Sequence, residues 1–354
     1  MSRYLTEKLS RLTPYTPGEQ PKDMKYIKLN TNESPYPPSE AVTLAARSSG
    51  EHLELYCDPE CKRLTEKAAE VFGVGAENVI MTNGSDEVLY FSFMAWGDSA
   101  HPFAFPDITY GFYPVFAELL GIPYQTVPLR EDFSINVDDY IGIGKNIVIA
   151  NPNAPTGLCL SLNDIERIVK SNPDNVVIID EAYVDFGGES AIKLTEKYGN
   201  LLVTGTFSKS RSMAGARLGF GIGDKELIAD LCTIKYSTNP YNVNSMTQAT
   251  GYAALADNEY YMANCKRIME TREYTSGELT RLGFSVIPSK ANFVFAKSDK
   301  ISGEELYKKL KENGILVRHF KNDRIKDYNR ITIGTREQME ALVAAVEGIL
   351  GDKK

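Results

Sequence analysis

Residues 201–209, LLVTGTFSK, form an apolar run that ends directly in Ser208 and Lys209. Three other apolar runs end in the same way: VIMT (79–82) leads into NGSDE, IVIA (147–150) into NPNAPTG, and VVIID (176–180) into EAY. Because polar residues do not alternate along these runs, we expect strands that are buried on both faces of a parallel sheet. Ligands bind at the carboxyl ends of the strands in such sheets. The four polar segments therefore predict one site at one edge of an α/β sheet.

The rest of the chain predicts a second, smaller unit. Helix-like segments such as 162–170 and 226–235 separate the apolar runs, which predicts a large domain over 45–256. From residue 257 a long charged helix is followed by short apolar strands and two further helices. The first 45 residues are rich in Pro, Thr, Asn and Ser and are expected to form an extended arm without a core element. Residues 257–354 are predicted to form a small α+β domain, and the arm over 1–44 is expected to pack with it.

The composition excludes several classes of protein. The 354 residues carry a formal net charge of −8, whereas nucleic acids and anionic membranes favour clustered Lys and Arg. The five cysteines are scattered and odd in number, which predicts a reducing cytoplasm. No histidine lies near Cys57 and Cys61, so no metal site is expected. We also expect no signal peptide and no membrane span, since no apolar run has the required length.

Two of the polar segments are suited to a phosphate. Gly84 and Ser85 follow a predicted strand and open a helix, whose free N–H groups and dipole favour an anion. The alternative is a simple helix cap by Ser85 or by Asp86. Thr206, Ser208 and Arg217 offer the hydroxyl groups and the cation that a phosphate also needs.

Lys209 lies beside this phosphate-binding group. A lysine in a cation-rich, partly desolvated site has a lowered pKa and can form a Schiff base with an aldehyde. Asp180 ends a buried strand and needs a partner, which is the protonated ring nitrogen of a cofactor, a helix N-terminus or a salt bridge. Tyr183 could bond a cofactor's phenolic oxygen. Tyr110 could stack on its ring, or it could pack in the core.

Two arginines lie inside apolar segments near the C-terminus. Arg318, in GILVRHF, and Arg330, in NRITIGT, are predicted to lie on neighbouring strands. An arginine in such a strand needs an anion. The anion is either an Asp or Glu of the protein or a carboxylate or phosphate of the substrate.

In their order along the chain, these segments resemble the fold-type I pyridoxal-phosphate aminotransferases, and more narrowly the histidinol-phosphate aminotransferase family. The resemblance spans nearly the whole chain. It is carried by LNTNESPYPPS (29–39), YCDPECKRL (56–64), NGSDE (83–87), NPNAPTG (151–157), DEAYVDF (180–186), TFSKSRSMAGARLGF (206–220), PYNVN (240–244) and RITIGT (330–335). It implies a large domain with a mostly parallel central sheet flanked by helices, a smaller α+β domain, and a transferase of nitrogenous groups that uses pyridoxal 5′-phosphate.

The resemblance also implies roles for the cofactor's contacts. Lys209 would hold the cofactor as a Schiff base and carry protons, Asp180 would pair with the ring nitrogen, and Tyr183 would contact the phenolic oxygen. The other contacts with the cofactor are implied for Gly84, Ser85, Asp86, Tyr110, Thr206, Ser208 and Arg217, and for Tyr56 of a second subunit.

Further implied contacts concern the substrates, an amino donor and a 2-oxo acid acceptor. Arg330, assisted by Arg318, would bind the substrate's anionic end, and Tyr15 would reach the substrate site of a partner. Tyr56 and Tyr15 together imply a homodimer with shared active sites. Three positions depart from the family. Cys57 and Met213 replace a usual Pro and Leu, and Ala154 stands where an Asn usually donates to the phenolic oxygen. Tyr183 is then expected to be the main side-chain donor, unless Asn153 or a water takes that place.

Several substrates stay open at this point. Transfer between L-histidinol phosphate and 2-oxoglutarate is the leading expectation, because paired arginines suit both anions. The alternatives are a broad or aromatic amino-acid aminotransferase, an enzyme resembling threonine-phosphate decarboxylase, and a cofactor-binding regulator without turnover. The set Lys209, Asp180, Tyr183 and Arg330 disfavours the regulator, since a binding protein needs no electron sink.

Overall fold

The computed structural model describes residues 2–351. Its strands are β1 (Ile27–Lys28), β2 (Val79–Thr82), β3 (Phe103–Pro106), β4 (Tyr124–Val127), β5 (Asn146–Ala150), β6 (Val177–Asp180), β7 (Leu201–Thr206), β8 (Gly219–Gly223), β9 (Phe284–Ile287), β10 (Phe293–Ser298), β11 (Ile315–Leu316), β12 (Arg318–His319) and β13 (Asn329–Thr332).

Helices connect and cover these strands. They are α1 (Glu7–Ser10), α2 (Glu40–Ser49), α3 (Lys62–Phe72), α4 (Ser85–Trp96), α5 (Phe112–Leu120), α6 (Leu162–Ser171), α7 (Lys225–Thr238), α8 (Ser245–Ala256), α9 (Asn258–Arg281), α10 (Gly303–Glu312) and α11 (Arg336–Gly351).

A seven-stranded sheet in the order β2-β8-β7-β6-β5-β3-β4 forms the centre of the fold. All its strands are parallel except β8, which runs antiparallel between β2 and β7. Every residue of β2, β5 and β6 is buried, as expected for strands covered by helices on both faces. Strand β7 is buried except at its last residue, Thr206. The predicted α/β class and the four buried strands are therefore confirmed.

Because β8 runs in the opposite direction, it begins at the edge of the sheet where its neighbours β2 and β7 end. Its first residue, Gly219, lies opposite both Thr82 and Thr206 in the sheet register. Arg217, two residues earlier, therefore enters the edge at which β2 and β7 end. It does so with φ of 54°, in the left-handed region.

The C-terminal part of the chain builds a second sheet. Four antiparallel strands lie in the order β12-β13-β10-β9. Apolar residues of β9, β10 and β13 pack with those of the three helices α9, α10 and α11 in a cluster that is distinct from the two main clusters of the large sheet. This arrangement matches the predicted small α+β unit, while its boundary near residue 257 stays a prediction.

The N-terminal arm packs with the small domain, as predicted, but it also contributes a strand and an apolar residue to that domain's core, contrary to the expectation. Strand β1 pairs in parallel with β11, because the N–H groups of Ile27 and Leu29 bond to the carbonyls of Gly314 and Leu316, each at 2.8 Å. Leu29 is 1% exposed within the small apolar cluster. The expectation failed because Pro- and Asn-rich composition does not reveal a strand of two residues. Helix α2 also runs through the predicted boundary at residue 44 and packs against α8.

Candidate active site

Two adjoining cavities lie at the carboxyl edge of the large sheet. The inner cavity is lined by Ser85, Asp86, Tyr110, Ala150, Ala154, Asp180, Ala182, Tyr183, Thr206, Ser208, Lys209 and Arg217. The outer cavity opens next to it, and its lining includes Tyr15, Asn30, Thr31, Asn32, Arg318, Phe320 and Arg330. Tyr110, Ala154, Tyr183 and Lys209 line both. The four polar segments singled out from the sequence thus meet, as expected, at one edge.

Lys209 lies where the two cavities join. Its Nζ donates a hydrogen bond to the carbonyl oxygen of Thr31 at 3.3 Å. Within residues 2–351 it forms no ion pair with a carboxylate at salt-bridge distance. Burial, followed by the positive charge of Arg330, lowers the pKa of Lys209 to about 8. A substantial fraction of its amine is therefore neutral near pH 8, as a nucleophile requires.

One end of the inner cavity offers a site for an anion. Helix α4 begins there, its N-cap is Gly84, and no side chain caps it. The simple capping alternative is therefore excluded. The N–H of Glu87 bonds to the carbonyl of Gly84 at 3.2 Å, and those of Ser85 and Asp86 stay available to an anion. The N–H of Ser208 bonds to Thr206 Oγ1 at 3.1 Å, and Thr206 Oγ1 donates to Ser208 Oγ at 3.0 Å, which fixes both hydroxyl groups beside the helix.

Two glycines allow Arg217 and the start of β8 to pack closely against the start of α4 at this end of the cavity. A Cβ on Gly84 would lie 2.7 Å from a terminal nitrogen of Arg217, and one on Gly219 would lie 2.3 Å from the N of Ser85. Gly84 also has φ of 81°, which side chains disfavour. Arg217 itself pairs with Asp86 at 3.3 Å. The cation is thus held against the start of α4.

The other end of the inner cavity holds a buried carboxylate. Asp180 is 5% exposed and accepts hydrogen bonds from the hydroxyl of Tyr113 at 2.8 Å and from the N–H of Ala182 at 3.3 Å. It has no ion pair among the described residues, so a buried salt bridge is excluded there. Burial raises the pKa of Asp180 to about 6. A cationic N–H in the cavity would stabilise its ionised form.

Two tyrosines line the cavity between its ends. Tyr110 donates its hydroxyl to Asp86 Oδ1 at 2.8 Å, which fixes the ring's orientation. Tyr183 accepts a hydrogen bond from Asn32 Nδ2 at 2.9 Å, and its ring packs edge-on against Phe293. Ala154, 6% exposed, presents only a methyl group to this cavity.

The predicted arginine pair lies in the outer cavity. Arg318 and Arg330 are register partners on β12 and β13, which confirms that their strands are neighbours. Arg330 donates to the carbonyl of Asn30 at 3.0 Å, while its Nε is buried without a partner. Arg318 donates to the carbonyls of Thr16 and Pro17 at 3.1 and 3.2 Å. Neither pairs with a carboxylate of the described residues, so none of those carboxylates is the anion that the two arginines require.

The structure places two predicted site residues differently from the others. Tyr15 lines the outer cavity of its own chain, where it stacks on Phe112 at 4.4 Å and Arg318 holds the next two carbonyls. Its contact with a partner's substrate site stays a prediction. Tyr56 lies outside both cavities. It is 85% exposed and stacks on Tyr241 at 4.7 Å.

Several residues of the site were missed from the sequence. Tyr113 follows Tyr110 by three positions, a helical spacing that could have suggested a joint role. Thr31 and Asn32 lie within the quoted segment 29–39, but nothing local indicates that they reach Lys209 and Tyr183. Gly219 could be recognised only from its close packing against α4.

Residues 2–351 contain neither a metal-binding cluster nor a membrane-spanning helix. In that part of the chain, no cluster of three or more His, Cys, Asp or Glu side chains could hold a metal ion. No helix there combines the length and the apolar character needed to cross a membrane.

Comparison with known proteins places these features in context. A family model described as aminotransferase class I and II matches residues 24–346. The histidinol-phosphate aminotransferase of Brachyspira hyodysenteriae is 49% identical over 352 residues, which cover 99% of each chain. That of Clostridium acetobutylicum is 47% identical over 348 residues and covers 98% of this chain and 99% of the relative.

Among solved structures, the histidinol-phosphate aminotransferase of Sinorhizobium meliloti, in complex with pyridoxal-5′-phosphate, superposes with a TM-score of 0.90 at 21% identity, covering 100% of this chain and 99% of the other. The L-threonine-O-3-phosphate decarboxylase of Porphyromonas gingivalis gives a TM-score of 0.80 at 20% identity, covering 92% and 99%. At these identities the two structures show the shared fold.

Proposed function

This chain belongs to the class I and II aminotransferase family, and on that premise we propose that it transfers the amino group of L-histidinol phosphate to 2-oxoglutarate. One observation carries the choice of substrates: Arg318 and Arg330 lie side by side in the outer cavity without a carboxylate partner among residues 2–351. A phosphate and a second carboxylate are both anions that two guanidinium groups can bind. Relatives that are 44–49% identical over nearly the full chain carry this activity in their names.

Pyridoxal 5′-phosphate is the cofactor, and the inner cavity fits it at each polar group. The uncapped start of α4, the two hydroxyls of Thr206 and Ser208, and Arg217 suit its phosphate. Asp180 suits its ring nitrogen, and Lys209 suits its aldehyde. When bound, this cofactor draws electrons away from the reacting carbon of the substrate.

The chain's own residues supply the remaining chemistry. Asp180, buried without a cationic partner among the described residues, holds a proton on the ring nitrogen because pairing with that N–H stabilises its ionised carboxylate. The amine of Lys209, with a pKa lowered to about 8, can accept a proton at a substrate carbon and return it to a neighbouring atom. Arg330 and Arg318 orient the substrate by its anionic end.

A homodimer in the cytoplasm completes the proposal. Leu53, Leu55 and Tyr56 are 61%, 67% and 85% exposed along one short segment, and a second copy of the chain would cover them. Tyr56 would then reach the partner's inner cavity, which it does not reach in its own chain. The five cysteines are all free, as suits a reducing compartment.

A half-reaction screen tests this function. The purified protein, loaded with cofactor, would be mixed separately with histidinol phosphate, Phe, Tyr, Glu and phosphothreonine while the visible absorption band is followed. We expect rapid bleaching with histidinol phosphate and with Glu, and no release of carbon dioxide. Preferential reaction with Phe or Tyr would indicate an aromatic aminotransferase. Release of carbon dioxide from phosphothreonine would indicate a decarboxylase. A band that no amine changes would indicate a binding protein.

A further inference from the structure

Three consecutive residues, Asn30, Thr31 and Asn32, each form a hydrogen bond with a polar side chain where the two cavities join. The carbonyl of Asn30 accepts from Arg330 at 3.0 Å, and that of Thr31 accepts from Lys209 at 3.3 Å. Asn32 donates through Nδ2 to the hydroxyl of Tyr183 at 2.9 Å. The first two contacts use the backbone, whereas the third depends on the identity of the side chain.

The orientation of the Asn32 amide is fixed by Thr332. The N–H of Asn32 donates to Thr332 Oγ1 at 3.0 Å, and Thr332 Oγ1 donates its own proton to Asn32 Oδ1 at 2.9 Å. In this closed ring the oxygen of the amide faces Thr332 and accepts the single proton of Oγ1. The NH₂ group must then face Tyr183. Asn32 is 1% exposed and adopts φ of 57°, a left-handed conformation that Asn tolerates.

The direction of this hydrogen bond determines where the proton of Tyr183 can go. A tyrosine hydroxyl that accepts from an amide has its proton free for another acceptor. No protein acceptor for that proton lies within hydrogen-bonding distance among residues 2–351, and Tyr183 lines both cavities. Burial raises the pKa of Tyr183, so the hydroxyl stays protonated at neutral pH. The proton therefore points to whatever fills the inner cavity.

No other amide can take this role from the adjacent loop. Ala154 has no donor in its side chain. Asn153 is 3% exposed, and its Nδ2 donates to the carbonyl of Ile108 at 3.0 Å and to Thr156 Oγ1 at 3.1 Å. Its Oδ1 accepts from Thr109 Oγ1 at 2.8 Å. The alternative in which Asn153 replaces the missing donor is therefore excluded, since its amide is fully used by Ile108, Thr156 and Thr109.

We propose that Asn32 is a positioning residue that, through Tyr183, directs a single hydroxyl proton at the phenolic oxygen of the bound cofactor. This inference rests on the proposed function and deepens it. Asn32 does not touch the cofactor. Because Asn32 donates to the Tyr183 hydroxyl, Tyr183 does not give its own proton to Asn32 and keeps it for the cofactor. This hydrogen bond compensates for the donor that is missing at Ala154 on the same cavity wall.

A spectral double-mutant cycle tests the proposal. The apoproteins of the wild type, Asn32→Gly, Tyr183→Phe and the double variant would be loaded with pyridoxal 5′-phosphate. The pH midpoint of the visible absorption band would then be measured for each. Glycine adopts the backbone conformation of Asn32 without strain, and melting of each apoprotein checks that it folds. The charged groups that face Tyr183 are Arg330, Asp180, Asp86 and Lys209, and all four variants keep them.

Losing a donor to the phenolic oxygen of the cofactor leaves more negative charge on that oxygen. The oxygen then binds the neighbouring Schiff-base proton more tightly, so the pH midpoint of the absorption band should rise. We expect a rise of about one pH unit for Tyr183→Phe and about half a unit for Asn32→Gly, since a hydrogen bond to a charged group is worth about 1.5–3 kcal/mol. In the Tyr183→Phe background, Asn32→Gly should add nothing, because the two residues act in series.

Equal shifts from Asn32→Gly in both backgrounds, or no shift in either, would overturn the proposal. If Asn32→Gly does not fold, Thr332→Val provides the same comparison, because it removes the hydroxyl that orients the amide while keeping the side-chain shape. Its shift should likewise vanish in the Tyr183→Phe background, and persistence there would also overturn the proposal. A wild type that shows no titrating band with the cofactor would overturn the proposed function itself, and this inference with it.

Discussion

Arg318 and Arg330 lie opposite each other on two adjacent antiparallel strands, and neither has a carboxylate partner in the range 2–351. Two guanidinium groups side by side repel each other, and burial lowers the pKa of Arg330 further. Such a pair is stable only where an anion can join it. Its place in the outer cavity, next to Lys209, makes the substrate's anionic end the natural partner.

The first prediction concerns this pair. Arg330→Ala should lower kcat/KM for histidinol phosphate by at least about 30-fold, since a lost charge-assisted contact at a buried site commonly costs about 2–5 kcal/mol. The affinity for the cofactor should change little. Arg281→Ala, a surface arginine paired with Glu278, is the matched control. Steady-state kinetics with unchanged constants for Arg330→Ala would mean that the anion binds elsewhere.

Asp180→Asn should bind the cofactor and yet lose most of its turnover. A neutral amide keeps the size of the side chain and an acceptor for Tyr113, but it cannot hold a proton on the ring nitrogen. The measurement is single-turnover kinetics beside a cofactor titration. Activity close to that of the wild type would assign Asp180 a purely structural role.

The same substitution should stabilise the protein without its cofactor, in a pH-dependent way. Burial raises the pKa of Asp180 in the folded protein to about 6, against 3.8 for an unburied aspartate. Its contribution to stability is therefore complete below about pH 4 and is lost as the pH rises to about 6. Two units correspond to about 3 kcal/mol at most. Urea denaturation of both apoproteins should therefore show a gain for Asp180→Asn at pH 7.5 that shrinks at pH 4.5.

A control of opposite sign is available for that experiment. Hydrogen bonds from the N–H of Ala100 and from His101 lower the pKa of Asp98, so Asp98→Asn should not stabilise the protein at pH 7.5. If Asp180→Asn is less stable than the wild type at pH 7.5 and the difference does not depend on pH, then burial does not destabilise the ionised carboxylate of Asp180.

Shared active sites in a homodimer can be tested by complementation. Lys209→Ala and Tyr56→Ala should each be nearly inactive alone. In a mixed dimer, one site combines Lys209 of one protomer with Tyr56 of the other and should regain activity. Mixing the unfolded variants, refolding them and measuring the turnover should therefore restore a fraction of the wild-type rate. An active monomer in sedimentation, or no recovery on mixing, contradicts the shared site.

The sequence predicted the parts of the site that lie close to one another along the chain. Ser208 and Lys209 follow β7 directly, and Gly84 and Ser85 follow β2, so the ends of buried strands located them before the structure was known. The pairing of Arg318 with Arg330 was likewise predictable from two short apolar segments.

Contacts between distant segments could not be predicted in this way. Asn32 and Tyr183 are 151 positions apart, and Tyr113 and Asp180 are 67 apart. No local pattern links such residues, because their meeting depends on how strands and helices pack. The arm was misjudged for the same reason: β1 exists only because β11 offers it free backbone groups.

The central claim is that Lys209 carries the cofactor at the junction of the two cavities. Borohydride reduction of the loaded protein, followed by proteolysis and mass spectrometry, tests it most directly, because reduction makes the attachment permanent. The account predicts a pyridoxyl group on the peptide that contains Lys209 and none on the Lys209→Ala variant. A pyridoxyl group on any other lysine, or none after loading, would contradict it.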